Sequence, residues 1–554
     1  MSDMQEYIVT LHNKEDLDDF YNDMETPGGN LYIPDRAVDL QLRRTISRNT
    51  HYMLTPEEAI QITNDPRVMS VEPRALADII TRSGYKIEDA TFSKYTIENA
   101  SHTNWGLLRH LEENNRTGWG SDNIGEIVDS ITITASGKNV DVVIVDGHMD
   151  PAHPEFAVNP DGTGGSRVNQ FNWFSLTDAI GAGDNGTYTY TPYVDGSDAE
   201  YTADNDHGCH VAGTVAGNTQ GWARDANIYN INPYATNPAG NVSSLLWDYI
   251  RQWHNTKPIN PETGRRNPTI TNHSYGSTIR WNDGDFGPIE RVTYRSVLFN
   301  PGRSLTVAEM NDRGIYTNDT TPSIPYYSTS RFADIQDAID DGIIVVASAG
   351  NDSWKTVTSS DQDYNNNYYA EYLGVLYFWS GLHRGSSPGA AVNAINVGAL
   401  SRLQDERKAD FSNCGDKVDV YAAGQAIISS VQSTVFGFTQ LDPRDNNYRL
   451  VKIQGTSMAS PQVCGMVACL AETDPNITNA EAKQWIIDNA TIGQMADSGA
   501  DDATDVTSLQ GSANRILRWY NQRLTSGNTF PLRTFKPRPS TGRLYPRTKI
   551  RRRG

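Results

Sequence analysis

Between Gln454 and Ala468 the chain carries Gly455-Thr456-Ser457-Met458-Ala459-Ser460-Pro461, followed at once by an apolar helical pattern. A glycine entry into a helix puts the Ser457 hydroxyl at a helix N-terminus. Backbone N–H groups and the helix dipole there favour developing negative charge. A nucleophilic serine needs this setting, together with a base and an oxyanion hole. By itself the stretch reads first as a capped helix, so its meaning depends on what the rest of the chain supplies.

The totals bound the answer loosely. The 554 residues amount to roughly three domains. A net charge of -20 argues against general nucleic-acid binding. Cys209, Cys414, Cys464 and Cys469 are too few for a disulfide-built scaffold. The most apolar run, Gly342 to Gly350, is strand-sized and far short of a membrane span, so no membrane partner is expected. No basic n-region or apolar h-region follows Met1, so a cytoplasmic setting, or release without a signal sequence, is the expectation.

Two upstream segments offer the missing partners. Val142 to Val145 is a buried-strand pattern ending in Asp146. A carboxylate at the carboxyl edge of a strand in an α/β sheet sits where ligands bind, and it can fix a histidine's tautomer. Alone it would be an ordinary loop aspartate. His148, Asp150 and His153 nearby match no strong zinc spacing. Asp206 to Gly217 opens a helix of small residues, with His207 as the candidate general base. A metal site from His207, Cys209 and His210 is the competing reading, but no H-E-x-x-H is present. Further on, a buried strand over 342–349 closes in Gly350-Asn351-Asp352, and Ile270 to Ser277 is a strand running into a turn.

The first 80 residues read as a separate unit. Tyr7–Leu11 is a strand, Asp16–Met24 a helix, Ile46–Met53 a second strand and Val68–Glu72 a third. Thr55-Pro56-Glu57-Glu58 is a capping box with proline at the first helical position. The β-α-β-α-β order suggests a small ferredoxin-like α+β domain.

Taken together, Ile144 to Phe156, Asp206 to Gly217 and Gly455 to Pro461 resemble the aspartate, histidine and serine motifs of the subtilisin-like serine proteases, the subtilases of peptidase family S8. The order aspartate, histidine, serine is that of this family and differs from those of chymotrypsin and the α/β-hydrolases. Two positions depart from the pattern: His148 replaces its usual glycine and Cys209 its usual threonine. The resemblance continues through Ser387-Pro388-Gly389 to Gly511–Trp519 and covers most of 104–523. It implies a three-layer αβα fold with a mainly parallel sheet. It implies a serine endopeptidase (EC 3.4.21) working through an acyl-enzyme, with Asp146, His207 and Ser457 as the catalytic residues. Asn351 and the Ser457 N–H would form the oxyanion hole, and Ser274, Tyr275 and Gly276 a substrate-binding edge strand for polypeptides.

The same resemblance makes residues 1–80 an inhibitor-type propeptide of a self-processing zymogen. It would act as an intramolecular inhibitor, joined by a linker over 81–103 to the catalytic domain at 104–523. No metal or other cofactor is required for the chemistry. Structural calcium is conceivable in the acidic loop near 159–204, with Asp178, Asp184, Asp195, Asp198 and Asp204, though a solvated loop is the simpler reading. The longer loop that forms a calcium site in many subtilisins is missing after the histidine helix, although Glu155 stands at a matching ligand position. The tail, 524–554, has nine Arg or Lys and no Asp or Glu, which suits an acidic partner. The alternative from another class is a non-maturing structural or assembly protein on the same scaffold, docking through that tail.

Overall fold

The computed structural model describes residues 4–33, 40–77, 81–82, 86–87, 105–111, 135–181, 206–233, 236–237, 240–241, 245–317, 320–402, 406–431, 440–502, 505 and 507–519. The basic tail, most of the linker and Asp184, Asp195, Asp198 and Asp204 lie outside these residues. Four consecutive apolar residues, Val142 to Val145, require a strand covered on both faces. Both faces are filled: Val142 and Ile144 enter one apolar core, Val143 and Val145 a second.

This strand, Asp141–Val145, lies inside a nine-stranded sheet. The order is Thr491–Ile492, Arg515–Ile516, Val420–Ala423, Ile395–Leu400, Ile344–Ser348, Thr269–His273, Asp141–Val145, Asn227–Ile231 and Val168–Asn169. All neighbours are parallel except the first two. Helices Asp206–Ala216 and Thr456–Thr473 fill one core; Leu246–Thr256 and Thr329–Asp340 fill the other. The result is the three-layer αβα arrangement with a mainly parallel sheet. Chain order reverses direction at Asp141–Val145, so Asp146 follows the topological switch point, where α/β sheets bind ligands.

The helix Thr456–Thr473 is buried from Thr456 through Ala471, which its small and apolar residues permit. Gly465 lets it cross the histidine helix closely: an added Cβ would lie 2.5 Å from the Val215 carbonyl oxygen.

The N-terminal unit is a four-stranded antiparallel sheet, ordered Leu40–Leu42, Asn49–Leu54, Gln5–Leu11 and Val68–Pro73, with helices Leu17–Glu25 and Pro56–Thr63. The Thr55 capping box is present. The second expected strand starts at Asn49 rather than Ile46, because 44–48 is turned toward the large domain. There Arg44, 1% exposed, reaches Asp248 at 2.7 and 2.9 Å and Asp334 at 2.9 Å. Glu72 accepts from Thr329 N–H at 2.7 Å and from the Ser328 and Ser330 hydroxyls, capping the helix Thr329–Asp340.

Removing one partner of a buried ion cluster strands the others without compensation, at about 3–5 kcal/mol. Arg44→Ala is therefore expected to loosen the N-terminal unit by that order. Thermal unfolding should then show an earlier transition for this unit; coincident melting with the wild type would contradict the clamp.

Two stretches far apart in the chain, Ser277 to Phe332 and Tyr364 to Trp379, coalesce into one module. Strands Val297–Phe299, Phe286–Tyr294, Asn367–Tyr372 and Val375–Ser380 form an antiparallel sheet. Its core holds Trp281, Tyr368 and Trp379, together with Trp354 and with Leu76 from the end of the N-terminal unit.

Candidate active site

Asp146 is fully buried just past the carboxyl end of its strand. One carboxylate oxygen accepts Gly147 N–H at 2.7 Å, and His207 Nδ1 lies 2.9 and 3.0 Å from the two oxygens. The Asn230 amide donates to the carbonyls of Ile144, Asp146 and Gly147, holding this turn from the adjacent strand. His207 stands in the first turn of its helix, which presses on the Asp146 turn. An added Cβ at Gly208 would lie 2.2 Å from the Gly147 carbonyl oxygen. Backbone cannot yield to such a contact cheaply, so Gly208→Ala should displace His207 from Asp146. A misplacement of about 1 Å costs on the order of a hundredfold in rate. Turnover of Gly208→Ala is expected to fall by that much in a chain that still folds; full turnover would contradict the packing argument.

Ser457 is the second residue of the helix Thr456–Thr473, in its first turn. Pro461, four residues on, has no N–H to give the Ser457 carbonyl. The Ser274 hydroxyl replaces it, donating to Ser457 O at 3.0 Å. In return the Ser457 hydroxyl donates to the Ser274 carbonyl at 3.1 Å. This reciprocal pair was not read from the sequence, although a proline inside a helix signals a carbonyl seeking a partner.

Asn351 follows the strand Ile344–Ser348 through Gly350, whose φ of +107° suits glycine. Its side-chain oxygen accepts Thr456 N–H at 2.8 Å and the Thr456 hydroxyl at 2.7 Å. That commits the carbonyl end of the amide to Thr456 and turns the NH₂ end the other way. Asn413 fixes the loop: it donates to Ala349 O at 2.8 Å and accepts from Asp352 N–H at 3.1 Å and Trp354 N–H at 2.8 Å.

Asp146, Ser274 and Asn351 thus follow three adjacent parallel strands at their carboxyl ends. Tyr275–Gly276 forms a short strand of its own; the Tyr275 side chain is buried beside His273, its hydroxyl 3.0 Å from His273 Nδ1. What this segment offers a ligand is therefore backbone.

The other titratable groups near the site are engaged elsewhere. His210 lies 3.0 Å from the Ile427 carbonyl through Nε2, and His153 lies 3.0 Å from the Arg449 carbonyl. Cys209 is fully buried, and burial pushes its thiol well above the usual range, where it stays protonated and unreactive. Glu155 does not fit a calcium site: its carboxylate accepts from the Arg444 guanidinium, from Thr219 N–H at 2.9 Å and hydroxyl at 2.5 Å, and from Gln220 N–H at 3.1 Å. Among the described residues, no group of three or more His, Cys, Asp or Glu is arranged to hold a metal.

Comparison with known proteins gives the family. Residues 137–515 match the model of the subtilase family, Peptidase_S8. Similar curated proteins include subtilisin-like protease 8 of Arthroderma otae, 26% identical over 306 residues, covering 54% of this chain and 45% of that protein. The subtilisin-like serine protease pepC of Aspergillus niger is 24% identical over 419 residues, covering 73% and 55% respectively. The chain spans about half the length of the curated relatives it matches. Among solved structures, fervidolysin from Fervidobacterium pennivorans, a keratinolytic enzyme related to subtilisin, aligns at 19% identity and a TM-score of 0.47, covering 93% of this chain and 60% of that one. The family match extends over more than half of the chain and takes in the strand ending at Asp146, the His207 helix and the Ser457 helix: this protein belongs to the subtilase family.

Proposed function

We propose that this protein is a serine endopeptidase that cleaves polypeptides through an acyl-enzyme and is made as a self-inhibited zymogen. The observation that carries the reading is the joint placement of the Asp146–His207 contact, Ser457 and Asn351 at one sheet edge. Asp146 holds Nδ1–H of His207, so Nε2 is the basic nitrogen. The Ser457 hydroxyl turns from the Ser274 carbonyl to Nε2 and gives up its proton as the oxygen attacks a peptide carbonyl. The Ser457 N–H at the helix N-terminus and the Asn351 amide receive the oxyanion. His207 passes the proton to the leaving amine, and water completes hydrolysis by the same route.

The N-terminal unit serves as the intramolecular inhibitor. Its Arg44 clamp and Glu72 cap dock it on the helices Leu246–Thr256 and Thr329–Asp340. No step calls for a metal. Calcium has no role at Glu155, where Arg444 supplies the positive charge.

The test is hydrolysis of an unfolded polypeptide by the purified chain, with and without a chelator. Hydrolysis that persists in chelator and vanishes in Ser457→Ala supports the proposal; hydrolysis retained by Ser457→Ala sinks it.

A further inference from the structure

Leu76 belongs by position to the N-terminal unit but by packing to the aromatic module. It is 4% exposed and joins the core of Trp281, Tyr368 and Trp379, not the core of its own unit. Among the described residues, every other buried member of that core lies between 279 and 382. One apolar side chain from a distant segment is thus seated in a core otherwise drawn from a single module.

That core adjoins the expected substrate edge. Ile279, shortly beyond Gly276, is buried in it. Its strand, Thr278–Arg280, pairs with Ser323–Pro325, Ile279 opposite Ile324. Tyr326 follows; its N–H donates to the Ser277 carbonyl at 2.7 Å, and its own carbonyl accepts Ser387 N–H at 3.3 Å. Its ring stands 6.3 Å from that of Trp379. The module is therefore rooted on the segment that follows Ser274. A strand of this chain also marks the direction from edge to module. Thr81–Arg82 pairs antiparallel with Tyr275–Gly276, Thr81 opposite Gly276. In an antiparallel pair, the chain before Thr81 heads the way that the chain after Gly276 heads, which is toward the module. Leu76 precedes Thr81 and sits there.

We infer that the aromatic module is a substrate-binding site remote from the reacting bond, a pocket for one bulky apolar side chain on the N-terminal side of the cut, which Leu76 fills while the N-terminal unit is in place. The inference rests on the serine-peptidase reading above and deepens it: the preferred substrate is a long unfolded polypeptide, not a short peptide. The Ser274 carbonyl lies 3.1 Å from the Ser457 hydroxyl oxygen, so the residue under attack lies opposite Ser274. Counted back along the edge and on to the position of Leu76, the apolar residue stands about seven positions before the cut. Burying it supplies binding energy that is equal in the ground and transition states, so it lowers KM and leaves kcat unchanged.

The test uses two quenched peptides, identical around a bond that the full chain cuts in denatured casein, with leucine or aspartate about seven residues before that bond. Both are offered to full-length Leu76→Asp, whose charge cannot stay in an apolar pocket, and to the milder Leu76→Ala. Leucine should lower KM at least about tenfold relative to aspartate, with kcat unchanged. Equal KM values, or a difference in kcat alone, overturn the inference and leave the peptidase reading standing. A second measurement needs no turnover. Fluorescein-labelled Arg-Ala-Leu-Ala-Asp-Ile-Ile-Thr-Arg, the sequence of 74–82, should bind the Ser457→Ala, Leu76→Asp chain at least about tenfold tighter than the same peptide with aspartate for leucine. Equal anisotropy titrations overturn the inference whatever the hydrolysis shows. Failure of wild-type Ser457 to react with a fluorophosphonate removes the peptidase reading itself.

Discussion

Ser457→Ala and His207→Ala are each expected to remove nearly all turnover, and the double variant no more than either alone. The hydroxyl without its base, and the base without its hydroxyl, are equally inert, so the losses do not add. In subtilisin itself the corresponding losses are about 2 × 10⁶-fold, which sets the scale. Asp146→Asn should cost about 10⁴-fold, because an amide at this position selects the wrong histidine tautomer. Single-turnover kinetics on one peptide measure all four. Additive losses in the double variant would mean that Ser457 and His207 act independently, contrary to the account.

Acid should unfold the large domain steeply. His110, His210, His273 and His383 are all buried. Burial holds each neutral, pushing His110, His210 and His273 down to about 3 and His383 to about 4. Hydrogen bonds agree: His110 pairs with Leu517 O at 2.8 Å through Nδ1 and accepts Ala423 N–H at 2.9 Å at Nε2, leaving no place for a second proton. His383 is held likewise between Gly314 O and the Asn366 amide. These folded values lie below the unfolded one near 6.5. Their contribution is therefore complete above about pH 6.5 and is lost as pH falls toward 4. Four such groups give a slope of roughly 5 kcal/mol per pH unit near pH 5. Against a total stability of about 5–15 kcal/mol, the acid midpoint should fall between about pH 4 and 5. Equilibrium denaturation over that range checks it; stability unchanged down to pH 4 would contradict the buried-neutral assignment.

Features encoded over short spans were legible in the sequence. The run Val142–Val145 announces a strand covered on both faces, and the Thr55 box announces a helix start that the structure has. The Gly-Thr-Ser entry announces a helix beginning at the serine; the structure begins it one residue earlier, at Thr456. Contacts between distant segments were not legible. Arg44 meets Asp248 across 204 residues, and Arg444 meets Glu155 across 289. No periodicity marks either partner. Glu155 matched a calcium-ligand position, but its actual neighbour is an arginine supplied by a loop that the motif does not include. Asn230 and Asn413, which fix the acid and amide loops, look like ordinary strand and turn residues. The aromatic residues of Tyr364 to Trp379 are visible in the sequence, but their merger with Ser277 to Phe332 into one core around Trp281 and Trp379 depends on strand pairing across the chain.

The direct measurement is site-mapped reaction of the full chain with a fluorophosphonate, run on the wild type, His207→Ala and an Asn351→Ala control. A single hydroxyl activated by one imidazole predicts a single phosphonylated peptide containing Ser457 in the wild type, no adduct in His207→Ala, and slowed but detectable adduct in Asn351→Ala. An adduct on Ser457 that forms as fast without His207, or an adduct on any other serine, would contradict it.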